Sequence, residues 1–284
     1  MCYTPSDASS QHIRDSGTAP LEPEFVATPE HVEYPTRDHA RAYAYVYWPK
    51  NPNVTPAADA LPPLLVMTHG GPTAATGGGL NLRAQFYTTR GWAVADINYR
   101  GSSGYGRSYR EALNGGWGET DVRDCEDLVR HLIQTNRIDA NRVAIRGGSA
   151  GGFTTLAALT TTDTFRAGAS HYGIGDLNAL AADTHKFEAR YLDSLLGSPE
   201  ALTSRSPINH IDALNCPVIF FQGSEDKVVP PNQSQAMVEA LRQKHIPVAY
   251  LEFPQEGHGF RRAENIIRAI ESEYAFFCRV FAID

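Results

Sequence analysis

Six short apolar runs punctuate the chain, at residues 64–68, 92–98, 142–147, 167–172, 218–222 and 248–253, and each reads as a strand. Two of them, LLVM at 64–67 and VIFF at 218–221, are apolar at every position. That is the pattern of strands covered on both faces. Between the runs the period changes to three and four residues. Val122, Cys125, Leu128, Val129 and Leu132 make one helical stripe, preceded by an acidic first turn at Asp121 and Asp124 that suits the helix dipole. A helix is predicted over 233–244, and a closing helix over 265–281 turns Ile266, Ile267, Ile270, Tyr274 and Phe277 inward. Strand and helix in alternation predict an α/β fold: a mostly parallel central sheet with helices on both faces and right-handed crossovers. Upstream, Val32, Tyr34, Tyr43, Tyr45 and Tyr47 are expected on one face of a strand pair. Residues 1–28, rich in Ser, Asp, Pro and Thr, read as a flexible tail or linker, leaving 29–284 as the folded domain.

The 284 residues are 42% hydrophobic, enough for a full core without metals or disulfides. A net charge of −7 with no basic cluster argues against nucleic acid or an anionic membrane as partner. Cys2, Cys125, Cys216 and Cys278 lie far apart with no metal-type spacing, which predicts reduced thiols and a cytoplasmic protein. The N-terminus shows no basic start and no apolar core of a signal peptide. No apolar run is long enough to span a bilayer.

In open α/β sheets chemistry gathers at the carboxyl ends of strands. The segment 142–153 reads as strand, glycine-rich turn and helix start, and holds G-x-S-x-G as Gly147, Ser149 and Gly151, with Gly152 added. A nucleophilic serine needs such a sharp turn, with glycines where side chains would collide. No Lys follows the glycines, which argues against a phosphate loop. If Ser149 is the nucleophile, the base comes late in the chain, after an acid. His245 ends a helix, where the dipole gives it a structural role. His258, between Gly257 and Gly259 just past the last strand, is the candidate base. The acid is Asp226 or Glu225, both on the loop after the strand at 218–222; position alone does not separate them. For an oxyanion, the N–H of Ala150 is one donor, and Gly71, with Gly70 next in line, is the second, on the loop after the first apolar strand. Pro72 has no N–H and can only shape that turn. Phe153, Tyr172, Val228 and Val229 are candidates for an apolar substrate pocket, and Lys186, Glu188 and Arg190 for a charged helix near it.

Taken together, HGGP at 69–72, NYRGSSGYG at 98–106, GGSAGG at 147–152, RSPINHI at 205–211, QGSEDKVVP at 222–230 and EGHGF at 256–260 resemble the catalytic domain of the prolyl oligopeptidase family of serine peptidases. The resemblance is closest to its acylaminoacyl- and dipeptidyl-peptidase-like branch, and runs from about residue 30 onward. It implies the α/β-hydrolase fold, Ser149 as nucleophile, Asp226 as acid and His258 as base. It also implies hydrolysis of short peptides without metal or organic cofactor. Family members of the prolyl oligopeptidase and dipeptidyl peptidase type carry a tyrosine hydroxyl where this chain has His69, which points to the acylaminoacyl branch. The family's N-terminal β-propeller has no counterpart in the residues before the domain. The face it would cover is then expected to be exposed and to promote a homo-oligomer. A carboxylesterase with the same three residues is the alternative reading, and a catalytically silent interaction domain a third.

Overall fold

Fully apolar strands persist only where helices cover them on both sides. In the computed structural model, which describes residues 2–13, 21–57, 59–183 and 191–283, eight strands form one sheet. They are β3 (Glu30–Pro35), β4 (Arg41–Tyr47), β5 (Leu64–Thr68), β6 (Ala93–Asn98), β7 (Val143–Gly148), β8 (Ala167–His171), β9 (Val218–Gly223) and β10 (Val248–Phe253). Their order across the sheet is β10-β9-β8-β7-β5-β6-β4-β3. All neighbours from β10 to β6 are parallel; β4 and β3 are antiparallel additions at one edge. This is the α/β fold the alternation predicts.

The helices are α1 (Leu82–Thr88), α2 (Arg107–Glu111), α3 (Thr120–Gln134), α4 (Ala150–Thr161), α5 (Leu177–Asp183), α6 (Tyr191–Leu196), α7 (Glu200–Ser204), α8 (Pro231–Gln243) and α9 (Ala263–Phe281). Alternate residues of β5 and β9 enter opposite apolar layers. Leu64, Val66, Val218 and Phe220 join the layer that holds Leu128 and Phe153. Leu65, Ile219 and Phe221 join the layer that holds Trp92 and Phe277. Each such side chain contributes about 1.5–3 kcal/mol on burial.

Three local readings differ from the expectation. In β3 and β4, Val32 pairs with Ala44 and Tyr34 with Ala42, and these four share the buried face. Tyr43 and Tyr45 point the other way, where Tyr43 stacks on His31 and Tyr105. Small alanines, not tyrosines, fill the space under the neighbouring helix. In α9 the buried stripe is Ala269, Glu273 and Phe277, while Ile266 and Ile267 are exposed. The inward position is thus given to a carboxylate. Finally, the first residues contain a short hairpin of β1 (Cys2–Thr4) with β2 (Ser9–Gln11). Ala27 is buried and exchanges two hydrogen bonds with the Gln85 amide, so the core begins just before residue 29.

β5 lies between β6 and β7, so the chain's direction of progress across the sheet reverses there. Ligand sites of open α/β sheets lie at such a reversal. Thr68 and Gly147 are partners in register, which brings the loops after β5 and β7 to one edge at the same level. Among the described residues no helix is long and apolar enough to cross a membrane.

Candidate active site

The turn between β7 and α4 is held by exclusion. Ser149 has φ 56° and ψ −124°, a strained backbone for a residue with a side chain. A Cβ on Gly147 would strike Thr68 and the Gly151 backbone, and one on Gly151 would strike the Thr68 and His69 carbonyls. Glycine at both positions is therefore the only residue that lets β5 and the serine turn approach this closely. Ser149 N–H donates to the His171 carbonyl at 3.0 Å, which ties the turn to β8. Behind it, Asp121 of α3 accepts from the Thr154 hydroxyl of α4 at 2.5 Å and from Gly118 N–H at 2.6 Å. Burial raises the Asp121 pKa to about 6, although both donors pull the other way.

His258 Nε2 lies 2.8 Å from Ser149 Oγ, and His258 Nδ1 lies 2.8 Å from Asp226 Oδ2. A carboxylate can only accept, so Nδ1 carries the proton and Nε2 presents its lone pair to the serine hydroxyl. Asp226 is buried, and its other oxygen accepts from Val228 and Val229 N–H, each at 2.9 Å. Glu225 does not share this position: its N–H donates to the Glu256 carbonyl, and the carboxylate facing His258 is that of Asp226. The Glu256 carboxylate accepts from Arg261 N–H, Arg262 N–H and the Asn265 amide, fixing the loop that carries His258.

The glycine loop stands directly against the serine turn. A Cβ on Gly70 would lie 3.0 Å from the Gly148 carbonyl and 3.4 Å from Ser149 Cβ, and Gly71 takes a positive φ of 44°. Ala150 opens α4 beside the serine. Ser102 and Ser103 brace this loop from the turn after β6, and Arg100 ties that turn to α3. Arg100 forms a bidentate pair with buried Asp124, and Ser102 Oγ meets His69 Nε2 at 2.7 Å. His69 stacks on Tyr99 at 4.4 Å, and burial lowers its pKa, so it is a neutral, fixed wall of the site.

A cavity of about 380 Å³ opens over these groups, with Ser149, His258, Gly70, Gly71 and Tyr172 in its walls. Of the expected pocket residues, Tyr172 lines it, its ring edge-on to His258 at 4.8 Å. The others do not. Phe153 is fully buried against Trp117, at 4.4 Å, because its place in α4 faces the core. Val229 is buried in the same layer, and Val228 is exposed to solvent; their contribution is the two backbone donors to Asp226. Lys186, Glu188 and Arg190 lie outside the described residues.

The sequence reading missed a charged layer beneath the cavity. Arg146, His171 and Arg83 line it, and Glu273 of α9 reaches up to them. Arg146 Nε donates to Glu273 at 2.9 Å, Tyr87 OH donates to it at 2.7 Å, and His171 Nε2 bonds its other oxygen. Burial, with the Arg146 charge beside it, lowers the His171 pKa to about 4, so the ring is neutral near pH 7. Burial opposes the charged form of Glu273, but Arg146 and His171 outweigh it and hold the carboxyl well below its usual range. The Arg146 charge beside it lowers the Arg83 pKa. Among the described residues no group of three or more His, Cys, Asp and Glu is gathered as a metal would require.

A nucleophile turn at the reversal point of a mostly parallel sheet, with an imidazole and a buried carboxylate in line behind it, defines the class: an α/β-hydrolase. The prolyl oligopeptidase family model matches residues 79–284, and the chain belongs to that family. It is 36% identical over 246 residues to dipeptidyl aminopeptidase BIII of Pseudoxanthomonas mexicana, covering 82% of this chain and 36% of that protein. It is 32% identical over 219 residues to the acylamino-acid-releasing enzyme of Arabidopsis thaliana, covering 72% of this chain and 28% of the relative. A crystal structure of puromycin hydrolase superposes with a TM-score of 0.92 at 42% identity, over 94% of this chain and 41% of that one. The chain thus spans about a third of the curated relatives' length.

Proposed function

We propose that this chain is a serine peptidase that cleaves short peptides, of acylaminoacyl- or dipeptidyl-peptidase type, through an acyl-enzyme intermediate. The observation that carries the proposal is the relay Ser149–His258–Asp226, with both bonds at 2.8 Å, on a strained turn at the sheet's reversal point. In this reading His258 takes the Ser149 proton as Oγ attacks the scissile carbonyl, then gives it to the departing amine. Asp226 fixes the imidazole tautomer and stabilises the imidazolium, itself held by two backbone donors. Ala150 N–H and the glycine loop, through Gly71 or Gly70, receive the oxyanion. Water repeats the sequence to release the acyl group, and no metal or organic cofactor takes part.

The relatives named above, a dipeptidyl aminopeptidase and an acylamino-acid-releasing enzyme, support peptide substrates for this chain. We place the folded peptidase domain at 29–284 with Ala27 joined to it. We place the protein in the cytoplasm on the spacing of its cysteines. Self-association into a homo-oligomer is read by size-exclusion chromatography, where a clean monomer at high concentration contradicts it. The test of the activity is p-nitroaniline release from matched peptide anilides, free and N-acetylated, beside p-nitrophenyl butyrate. Amide cleavage that vanishes in Ser149→Ala supports a peptidase. Ester cleavage alone makes the chain a carboxylesterase, and no cleavage of either contradicts the reading.

A further inference from the structure

Arg83 stands out in the charged layer. Its neighbour Arg146 shares Glu273 with His171 and Tyr87, and among the described residues Arg83 makes no bond to that carboxylate. Asp96, the other acid within electrostatic reach, is buried and accepts from Thr76 and Asn81. Among the described residues no carboxylate pairs with Arg83. It is exposed, and it lines the same cavity as Ser149 and His258. Among the described residues no carboxylate lines that cavity, and its cationic groups are Arg83 and Arg146, beside a His171 that stays neutral. The Arg146 charge, though paired with Glu273, still opposes that of Arg83, and an anion bound beside Arg83 relieves this. A guanidinium presents a planar fork that fits a carboxylate with two parallel bonds.

The side of the scissile bond follows from the base. The imidazole that protonates the departing amine must face the leaving group. Tyr172, packed on His258, and Gly259, its chain neighbour, line a second cavity together with Arg146 and Arg83, which puts the two arginines on the His258 side of the site. We propose that Arg83, with Arg146 behind it, forms a carboxylate-binding subsite for the leaving portion of the substrate, so that short peptides with an anionic group just beyond the cleaved bond are preferred. This rests on the serine-peptidase reading. The anion is a carboxylate in either case, from the free C-terminus of a short peptide or from an acidic side chain.

The experiment measures binding without turnover. The Ser149→Ala chain is titrated calorimetrically with three tripeptides: a free C-terminal acid, its C-terminal amide, and the amide with Asp as last residue. The free acid is expected to bind at least about tenfold more tightly than the amide, as charge-assisted bonds do. Arg83→Gln in the same background is expected to abolish the difference, and Arg83→Lys to restore part of it, which a merely structural role would not do. Tighter binding of the Asp amide than of the free acid supports the subsite and assigns it to a side chain. Equal affinities, a preference that survives Arg83→Gln, or no binding of any peptide overturns it. Turnover of anilides, which carry no leaving carboxylate, is read separately. Its absence would remove the peptidase reading while leaving the binding result to stand or fall alone.

Discussion

Acidification should destabilise this fold through one identifiable ring. His171 is packed between Phe221, whose ring stacks on it at 4.5 Å, and the Arg146–Glu273 pair. Its pKa in the folded protein is about 4, against 6.5 in an unfolded chain. A histidine with a depressed folded pKa favours the neutral form, so the unfolded chain gains protons first as pH falls. The stability is therefore intact above about pH 6.5 and drains away between there and pH 4. The full shift of about 2.5 units corresponds to about 3 kcal/mol, of which about 2 kcal/mol is already lost at pH 5. The depressed Glu273 adds to the loss in the same direction, but only below the ordinary carboxylate range; Asp121, raised to about 6, gains stability over the same interval, so the histidine is isolated by the difference between wild type and variant. Urea unfolding at pH 7.5 and pH 5.0, for the wild type and His171→Gln, reads the effect. The variant is expected to start less stable and to lose about 2 kcal/mol less on acidification, because the remaining histidines titrate in both proteins. Equal losses in the two proteins would refute the assignment of a buried neutral His171.

Other changes separate chemistry from architecture. Asp226→Asn keeps at least one backbone donor partner but leaves His258 the wrong tautomer, and kcat is expected to fall on the order of 10⁴-fold in a stopped-time anilide assay. Phe153→Ala removes a ring buried against Trp117, so thermal or urea unfolding should show a loss of about 3–5 kcal/mol, with KM of the surviving folded fraction unchanged. Gly151→Ala drives a methyl into the Thr68 and His69 carbonyls, and the expected result is a failure to accumulate as folded protein, or a loss of several kcal/mol by unfolding.

The sheet was legible because its strands are short, apolar on both faces and separated by helical periods. The serine turn was legible because steric exclusion leaves a local pattern, glycine two residues before and two after Ser149. The acid was not separable by position, since Glu225 and Asp226 differ only in which one the Gly223–Glu256 contacts turn toward His258. The charged layer left no local signal at all. Arg146 and Glu273 stand 127 residues apart, and only the packing of α9 against β8 and β9 brings them together. Its one sequence trace is an acid within the apolar stripe of α9, at Glu273 between Ala269 and Phe277. The misplaced isoleucines of that helix and the tyrosines of β4 share a cause: hydrophobicity marks a candidate face, while the partner's shape decides which residues fit beneath it.

The central claim is that Ser149 is a nucleophile activated by His258. Its most direct test is mass spectrometry of the intact and digested chain after treatment with a fluorophosphonate, which reacts with activated serines. One adduct, on the peptide carrying Ser149, is predicted, with no adduct in Ser149→Ala and strongly slowed labelling in His258→Ala. Labelling at another serine, no labelling, or a rate indifferent to His258 would contradict it.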